Sequence, residues 1–222
     1  MLRLTILLIL TAALSLAAPS NCVPGTLTDY LSLNTEGCRL GTRVISDFNL
    51  VPLTQGSSEI DPNSVIITPS TLGMAGSLLF TYNANGTILE SIFQLNVTPD
   101  LFVREKVDLR LTGAGATGDG VVTGVDALCG GDLLVGLCTG DSQPLIALVT
   151  SNTQLPLASA VIGPRASYSL LHDVVVDAGL SGTASLTSAE LTFTAVPEPA
   201  TLLTLAAGLL SMFVLRHTFS KS

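Results

Sequence analysis

The sequence predicts an all-β fold, an antiparallel β-sandwich, set between two apolar termini. Three observations predict it. Apolar residues recur at every second position in short runs, the period of a half-buried strand. Segments rich in Gly, Pro and Asn punctuate those runs at regular intervals. No amphipathic helix of ten residues occurs between Val23 and Ala195, which argues against an α/β enzyme fold.

Residues 1–17 read as a signal peptide. Arg3 gives a positive start, residues 4–16 an apolar stretch, and Ser15-Leu16-Ala17 a small-x-small cleavage site. Cleavage falls after Ala17, because a cut after Ala18 would place Pro19 first in the mature chain. The apolar run is too short for a spanning helix. Lipid attachment at Cys22 is disfavoured by Pro19 and Asn21, which break the small-residue pattern before it.

Residues 18–195 are expected to form one domain with a real core. Export favours disulfides, and the short separations pair Cys22 with Cys38 and Cys129 with Cys138. A zinc site would want Cys-x2-Cys spacing or neighbouring histidines, and this region holds only His172. Thr28 is expected to cap a single helical turn before Gly37. Strands follow. Leu89, Ser91, Phe93, Leu95 and Val97 alternate with Glu90, Gln94 and Asn96, and Val107, Leu109 and Leu111 with Asp108, Arg110 and Thr112. Residues 171–176 form a β-branched run, and Leu191 and Phe193 alternate with Thr192 and Thr194. Turn signals lie at residues 83–86, 98–100, 113–120, 130–132, 163–164 and 179–182.

Charge limits the partners. All 17 acidic residues lie between Asp29 and Glu198, against six Lys and Arg in the same span, a net charge of −11. Nucleic acid and anionic lipid surfaces are poor partners for such a chain. An acidic solvated surface explains the excess more simply than a calcium site.

The last 27 residues have three parts. Val196-Pro197-Glu198-Pro199 is a rigid polar motif, residues 200–215 are uncharged, and Arg216, His217 and Lys221 form a basic end. A helix over residues 200–215 spans roughly 24 Å, a little short of the ~30 Å hydrocarbon core. Snorkelling of Arg216 or local thinning absorbs the difference. The segment is apolar all round, which suits lipid rather than a small core. The basic end places the C-terminus on the cytoplasmic side and residues 18–195 outside. Pro197 and Pro199 can neither extend a strand ladder nor sit inside a helix, so they hold the motif extended beside the bilayer.

This layout resembles the PEP-CTERM sorting signal of Gram-negative bacteria, with Val196, Pro197, Glu198, Pro199, Ala200, Thr201 and Leu202 matching its opening. The resemblance implies handling by exosortase, a membrane protease or transpeptidase acting near the Pro-Glu-Pro motif. It implies a transient inner-membrane anchor and then a place at the cell surface or outside the cell. The stretch after His217 departs from the family's denser run of arginines. Gly25-Thr26-Leu27, Tyr30, Gly37-Cys38-Arg39-Leu40-Gly41 and Phe48 resemble a set of such proteins common in acidobacterial genomes.

Candidate sites within residues 18–195 are weak. Gly113-Ala114-Gly115-Ala116-Thr117-Gly118 satisfies GxGxxG, but strand-like residues follow it and no helix N-terminus is available to take a phosphate. No Gly-x-Ser-x-Gly elbow occurs. His172 and Asp173 are neighbours on a strand and face opposite ways; His172 is expected at a surface or edge. Asp119, Asp126, Asp132 and Asp141 are the acids a glycosidase or a calcium site would draw on, at a spacing that matches no EF-hand or nonapeptide repeat. The expectation is a non-enzymatic surface or matrix protein without cofactor or metal, structural or adhesive in role. Exopolysaccharide binding is the alternative and expects Tyr30, Tyr82 or Tyr168 exposed beside carboxylates. An exported hydrolase is a distant third.

Overall fold

The computed structural model describes residues 18–53, 55–86, 88–131, 133–134 and 137–196. The predicted signal peptide, residues 1–17, and everything after Val196 lie outside the described residues. Ten strands of six or more residues make the body: β1 (Arg43–Leu50), β2 (Ile66–Leu72), β3 (Ala75–Asn85), β4 (Leu89–Pro99), β5 (Arg104–Thr112), β6 (Val121–Cys129), β7 (Ser142–Thr150), β8 (Leu157–Ile162), β9 (Tyr168–Asp177) and β10 (Thr183–Val196). They form two sheets, and every pairing between these ten is antiparallel. The first runs β2-β3-β10-β5-β8, with Gly25–Thr26 added beyond β2. The second runs β7-β6-β9-β4-β1, edged by Gln154–Leu155 and Cys38–Arg39.

The inward faces follow from period two. Leu78, Phe80 and Tyr82 of β3, Leu109 and Leu111 of β5 and Leu191 and Phe193 of β10 are buried from one sheet. Phe93, Leu95 and Val97 of β4 and Leu170, Val174 and Val176 of β9 are buried from the other. The predicted sandwich and its alternating runs are therefore the fold observed. At about 25 cal/mol per Å² of apolar surface, each such side chain stabilises the fold by roughly 1.5–3 kcal/mol.

The predicted helical turn is α1 (Leu27–Leu31), but its cap is Thr26 rather than Thr28. Thr26 Oγ1 accepts from the Asp29 N–H at 3.1 Å, and Asp29 Oδ2 accepts from the Thr26 N–H at 2.7 Å. The reciprocal pair is a capping box, and it needs an acid three residues after the cap. Thr26 has one and Thr28, followed at that spacing by Leu31, does not. The Thr26 contacts hold the Asp29 carboxyl below its ordinary range. Among the described residues no helix is long and apolar enough to cross a membrane.

Both disulfides form as the spacing predicts, Cys22–Cys38 and Cys129–Cys138. They sit on one level of the second sheet. Cys38 pairs with Ile45, Ile45 with Val97, Val97 with Tyr168, and Cys129 with the adjacent Ser169. Gly37 is required where it stands. It has φ +60°, and a Cβ there would lie 2.3 Å from the Ile45 carbonyl oxygen.

Candidate functional site

Strand β10 leads to the site. It runs for fourteen residues between β3 and β5. Its last paired residues set the geometry: Thr194 lies opposite Ala75 of β3, and Val196 opposite Arg104 of β5. The ladder thus reaches Val196, the first residue of the predicted sorting motif. Pro197 has no N–H to offer a further rung.

Beneath this exit the two sheets are joined by a buried ion pair. Arg43 of β1 and Glu105 of β5 are both buried. Arg43 Nε donates to Glu105 Oε1 at 2.7 Å, and Nη2 lies 2.7 Å from the same oxygen. The Tyr168 hydroxyl donates to Oε2 at 2.8 Å. Arg43 Nη1 donates to the Met74 carbonyl at 2.8 Å, tying down the β2–β3 turn. Burial pushes the Tyr168 hydroxyl well above its ordinary range, and the Glu105 charge adds to this. The phenol therefore stays a donor. With both carboxylate oxygens engaged, the desolvated charge is compensated.

A second buried cluster crosses the sandwich at mid-height. His172 of β9 is fully buried, not at a surface or edge as the sequence suggested. The same parity that buries Leu170 and Val174 buries His172. Its Nδ1 lies 2.6 Å from Asp126 Oδ1 of β6, and its Nε2 lies 3.0 Å from the Tyr82 hydroxyl of β3. Phe80 and Phe93 flank the imidazole, with ring centroids at 4.9 and 5.1 Å. Burial raises the Asp126 carboxyl above its ordinary value, and His172 opposes that shift. The cluster is walled in by the core, with His172, Asp126 and Tyr82 all buried. Asp173 faces the other way, as predicted.

The candidate acids do not converge. Asp119 accepts from the backbone N–H of Leu180 and of Ser181, each at 2.9 Å, and holds the turn before β10. Those backbone contacts lower its carboxyl. Asp126 belongs to the core cluster, Asp141 lies 3.5 Å from Arg165 at the exit end, and Asp132 lies outside the described residues. Among the described residues no group of three His, Cys, Asp or Glu could hold a metal ion. The GxGxxG segment places Gly115–Thr117 as a short strand against β10.

The expected aromatic platform is overturned. Tyr30, Tyr82 and Tyr168 are all buried. Tyr30 donates to the Val23 carbonyl at 2.9 Å, and burial pushes its hydroxyl up to about 12. Each tyrosine spends its one polar atom on an internal partner.

Residues 195–217 match the model of the PEP-CTERM protein-sorting motif. The chain carries a PEP-CTERM sorting motif. The match begins at Ala195, inside β10, so the sorting motif and the central strand of the first sheet share two residues. The predicted motif residues Pro197, Glu198 and Pro199, the apolar residues 200–215 and the basic Arg216 and His217 fall within the match or its span, and all lie outside the described residues, as does Lys221. No curated protein matches this PEP-CTERM chain. Among solved structures, TmCBM61 in complex with β-1,4-galactotriose is 12% identical, over 62% of this chain and 85% of its own, with a TM-score of 0.31. The enzymatically active domain of bacteriophage CBA120 tailspike protein 4 is 10% identical, over 71% of this chain and 20% of its own, with a TM-score of 0.27. At those scores neither likeness carries an argument about what this PEP-CTERM protein binds.

Proposed function

We propose that this PEP-CTERM protein is an exported, non-catalytic component of the cell surface or extracellular matrix, structural or adhesive in role. In this reading it is held in the inner membrane by residues 200–215 until exosortase acts at Pro197, Glu198 and Pro199. The carrying observation is the matched sorting motif set directly on the end of β10. A processing enzyme would meet the motif immediately beyond a rigid, disulfide-pinned end of the sandwich. The polar residues that a catalytic or sugar-binding reading would recruit already have structural partners: Asp126 with His172, Tyr168 with Glu105, Asp119 with the turn at Leu180 and Ser181. Glycan recognition would have to do without the three tyrosines.

Mass spectrometry of the mature C-terminus from the native host, with and without exosortase, tests this reading. Loss of residues 200–222 only when exosortase is present is the expected result. A chain that keeps residues 216–222 in the wild-type host would show a permanent anchor and overturn the sorting step. Selective binding of the purified protein on a glycan array would replace the structural role with polysaccharide recognition.

A further inference from the structure

The exit end of the sandwich carries an exposed apolar rim. Leu72, the last residue of β2, is 86% exposed, and Met74, in the turn into β3, is 49% exposed. Leu101 is 48% exposed and Phe102 72%, both in the loop between β4 and β5. Register places these loops on either side of the departing chain. Ala75, just after the first, pairs with Thr194, and Arg104, just after the second, pairs with Val196. Strands β3 and β5 flank β10 directly, so the two loops stand roughly 10 Å apart with the exit between them.

Both loops are held in place. Arg43 Nη1 binds the Met74 carbonyl. The Asp100 N–H donates to the Thr42 carbonyl at 2.8 Å, and the Val103 N–H to the Leu101 carbonyl at 2.9 Å. Charge at this end is also locally cancelled, unlike the acidic body. Arg39 pairs with Asp100, Arg43 with Glu105 and Arg165 with Asp141.

We propose that Leu72, Met74, Leu101 and Phe102 seat this end of the sandwich on the outer face of the membrane, in the headgroup and upper acyl region, while the tail is still attached. The proposal rests on reading residues 200–215 as the membrane segment. Reach supports it. Four residue steps separate Val196 from Ala200, at most about 14 Å of extended chain. With the apolar segment in the bilayer, the rim is held within that distance of the surface. Large exposed side chains on an ordered rim then bury apolar area at little entropic cost. A seated rim would also set the height at which the Pro-Glu-Pro motif leaves the sandwich.

The chain contains no tryptophan, so a single one reports its own surroundings. Full-length Phe102→Trp and, at the opposite end of the sandwich, Leu180→Trp would be reconstituted into vesicles of phosphatidylethanolamine and phosphatidylglycerol. Both positions are exposed, so neither substitution disturbs the core. Flotation first tests the anchor: protein that fails to float with the vesicles sinks the membrane reading of residues 200–215, and this proposal with it. In protein that floats, the F102W emission should shift to the blue, lose intensity to brominated acyl chains and resist aqueous iodide. L180W should stay iodide-accessible. Equal iodide quenching of the two would overturn the proposal while leaving the anchor intact. Shielding of F102W only when exosortase is added would assign the rim to the enzyme and overturn lipid seating.

Discussion

His172 Nδ1 lies 2.6 Å from Asp126 Oδ1 in the centre of the sandwich, with neither side chain reaching solvent. Burying two polar groups is costly unless each has a partner, and this contact gives each the other. On its other side, His172 Nε2 lies within hydrogen-bond distance, 3.0 Å, of the Tyr82 hydroxyl from the opposite sheet. Burial raises the Tyr82 hydroxyl far above its ordinary range, so it does not ionise. The cluster links the sheets through directional contacts that fix how one sits over the other.

Removing one member should therefore cost more than removing both. His172→Leu leaves Asp126 buried without its partner and should destabilise by about 3–5 kcal/mol. The double variant Asp126→Leu/His172→Leu removes the stranded carboxyl and should recover a large part of that loss. Urea unfolding of the four proteins in the cycle measures the coupling. Simple additivity would show that the contact has no energetic role.

Arg43 presents the same arithmetic nearer the exit. Arg43→Met strands Glu105 and should cost about 3–5 kcal/mol. Tyr168→Phe removes only one donor to Glu105 Oε2 and should cost about 1–3 kcal/mol. Chemical denaturation of both variants checks the order. A larger loss from the tyrosine change would mean that the hydroxyl, not the guanidinium, compensates the charge.

These clusters were within reach of the sequence. Glu105 precedes Val107, Leu109 and Leu111 at the same parity, and His172 stands between Leu170 and Val174 in one two-residue series. Extending the apolar alternation through those polar positions would have buried them. Residue type argues the other way, since isolated charged residues are rarely buried. What no local pattern contains is the partner. Arg43 and Glu105 are 62 residues apart, and Asp126 and His172 are 46. Their meeting depends on how the two sheets are wound. The sheets, the disulfides and the sorting motif were legible because each is local: a period, a short separation, a contiguous string.

Asp173 makes stability depend on pH. Burial raises its carboxyl to about 6, with Glu90 adding to the shift. The folded state therefore holds the proton more tightly than the unfolded chain does. Its contribution is full below about pH 4 and is lost as the pH rises through about 6. Asp173→Asn keeps the shape without the charge. Because the site is partly open to solvent, the gain above pH 7 should be about 1 kcal/mol, with none at pH 4. Thermal melts at both pH values read it. An equal effect at both would show that charge is not the cause.

Gly37→Ala tests the turn that leads into the Cys38 disulfide. The positive φ and the contact with the Ile45 carbonyl both oppose a side chain. A loss of about 1–3 kcal/mol is expected, read by denaturant unfolding under oxidising conditions. An unchanged midpoint would mean that the turn relaxes without cost.

The sorting motif should depend on its two prolines for a reason the strand supplies. Val196 is the last rung of β10, paired with Arg104 in a ladder that an ordinary residue at 197 could extend. Pro197 cannot donate to that ladder, and Pro199 suits the first turn of a helix. Together they separate a strand from an apolar segment within three residues and leave Glu198 as the charge between them. Pro197→Ala, Glu198→Ala and Pro199→Ala combined should let helix propagate back from residue 200 and remove the extended, charged stretch. The folded body should be unchanged, since both disulfides and all ten strands precede residue 197. The triple variant should then accumulate uncleaved in the inner-membrane fraction with both disulfides intact, as non-reducing peptide mapping and fractionation would show. Normal release of the variant would mean that exosortase reads the apolar segment or the basic end instead.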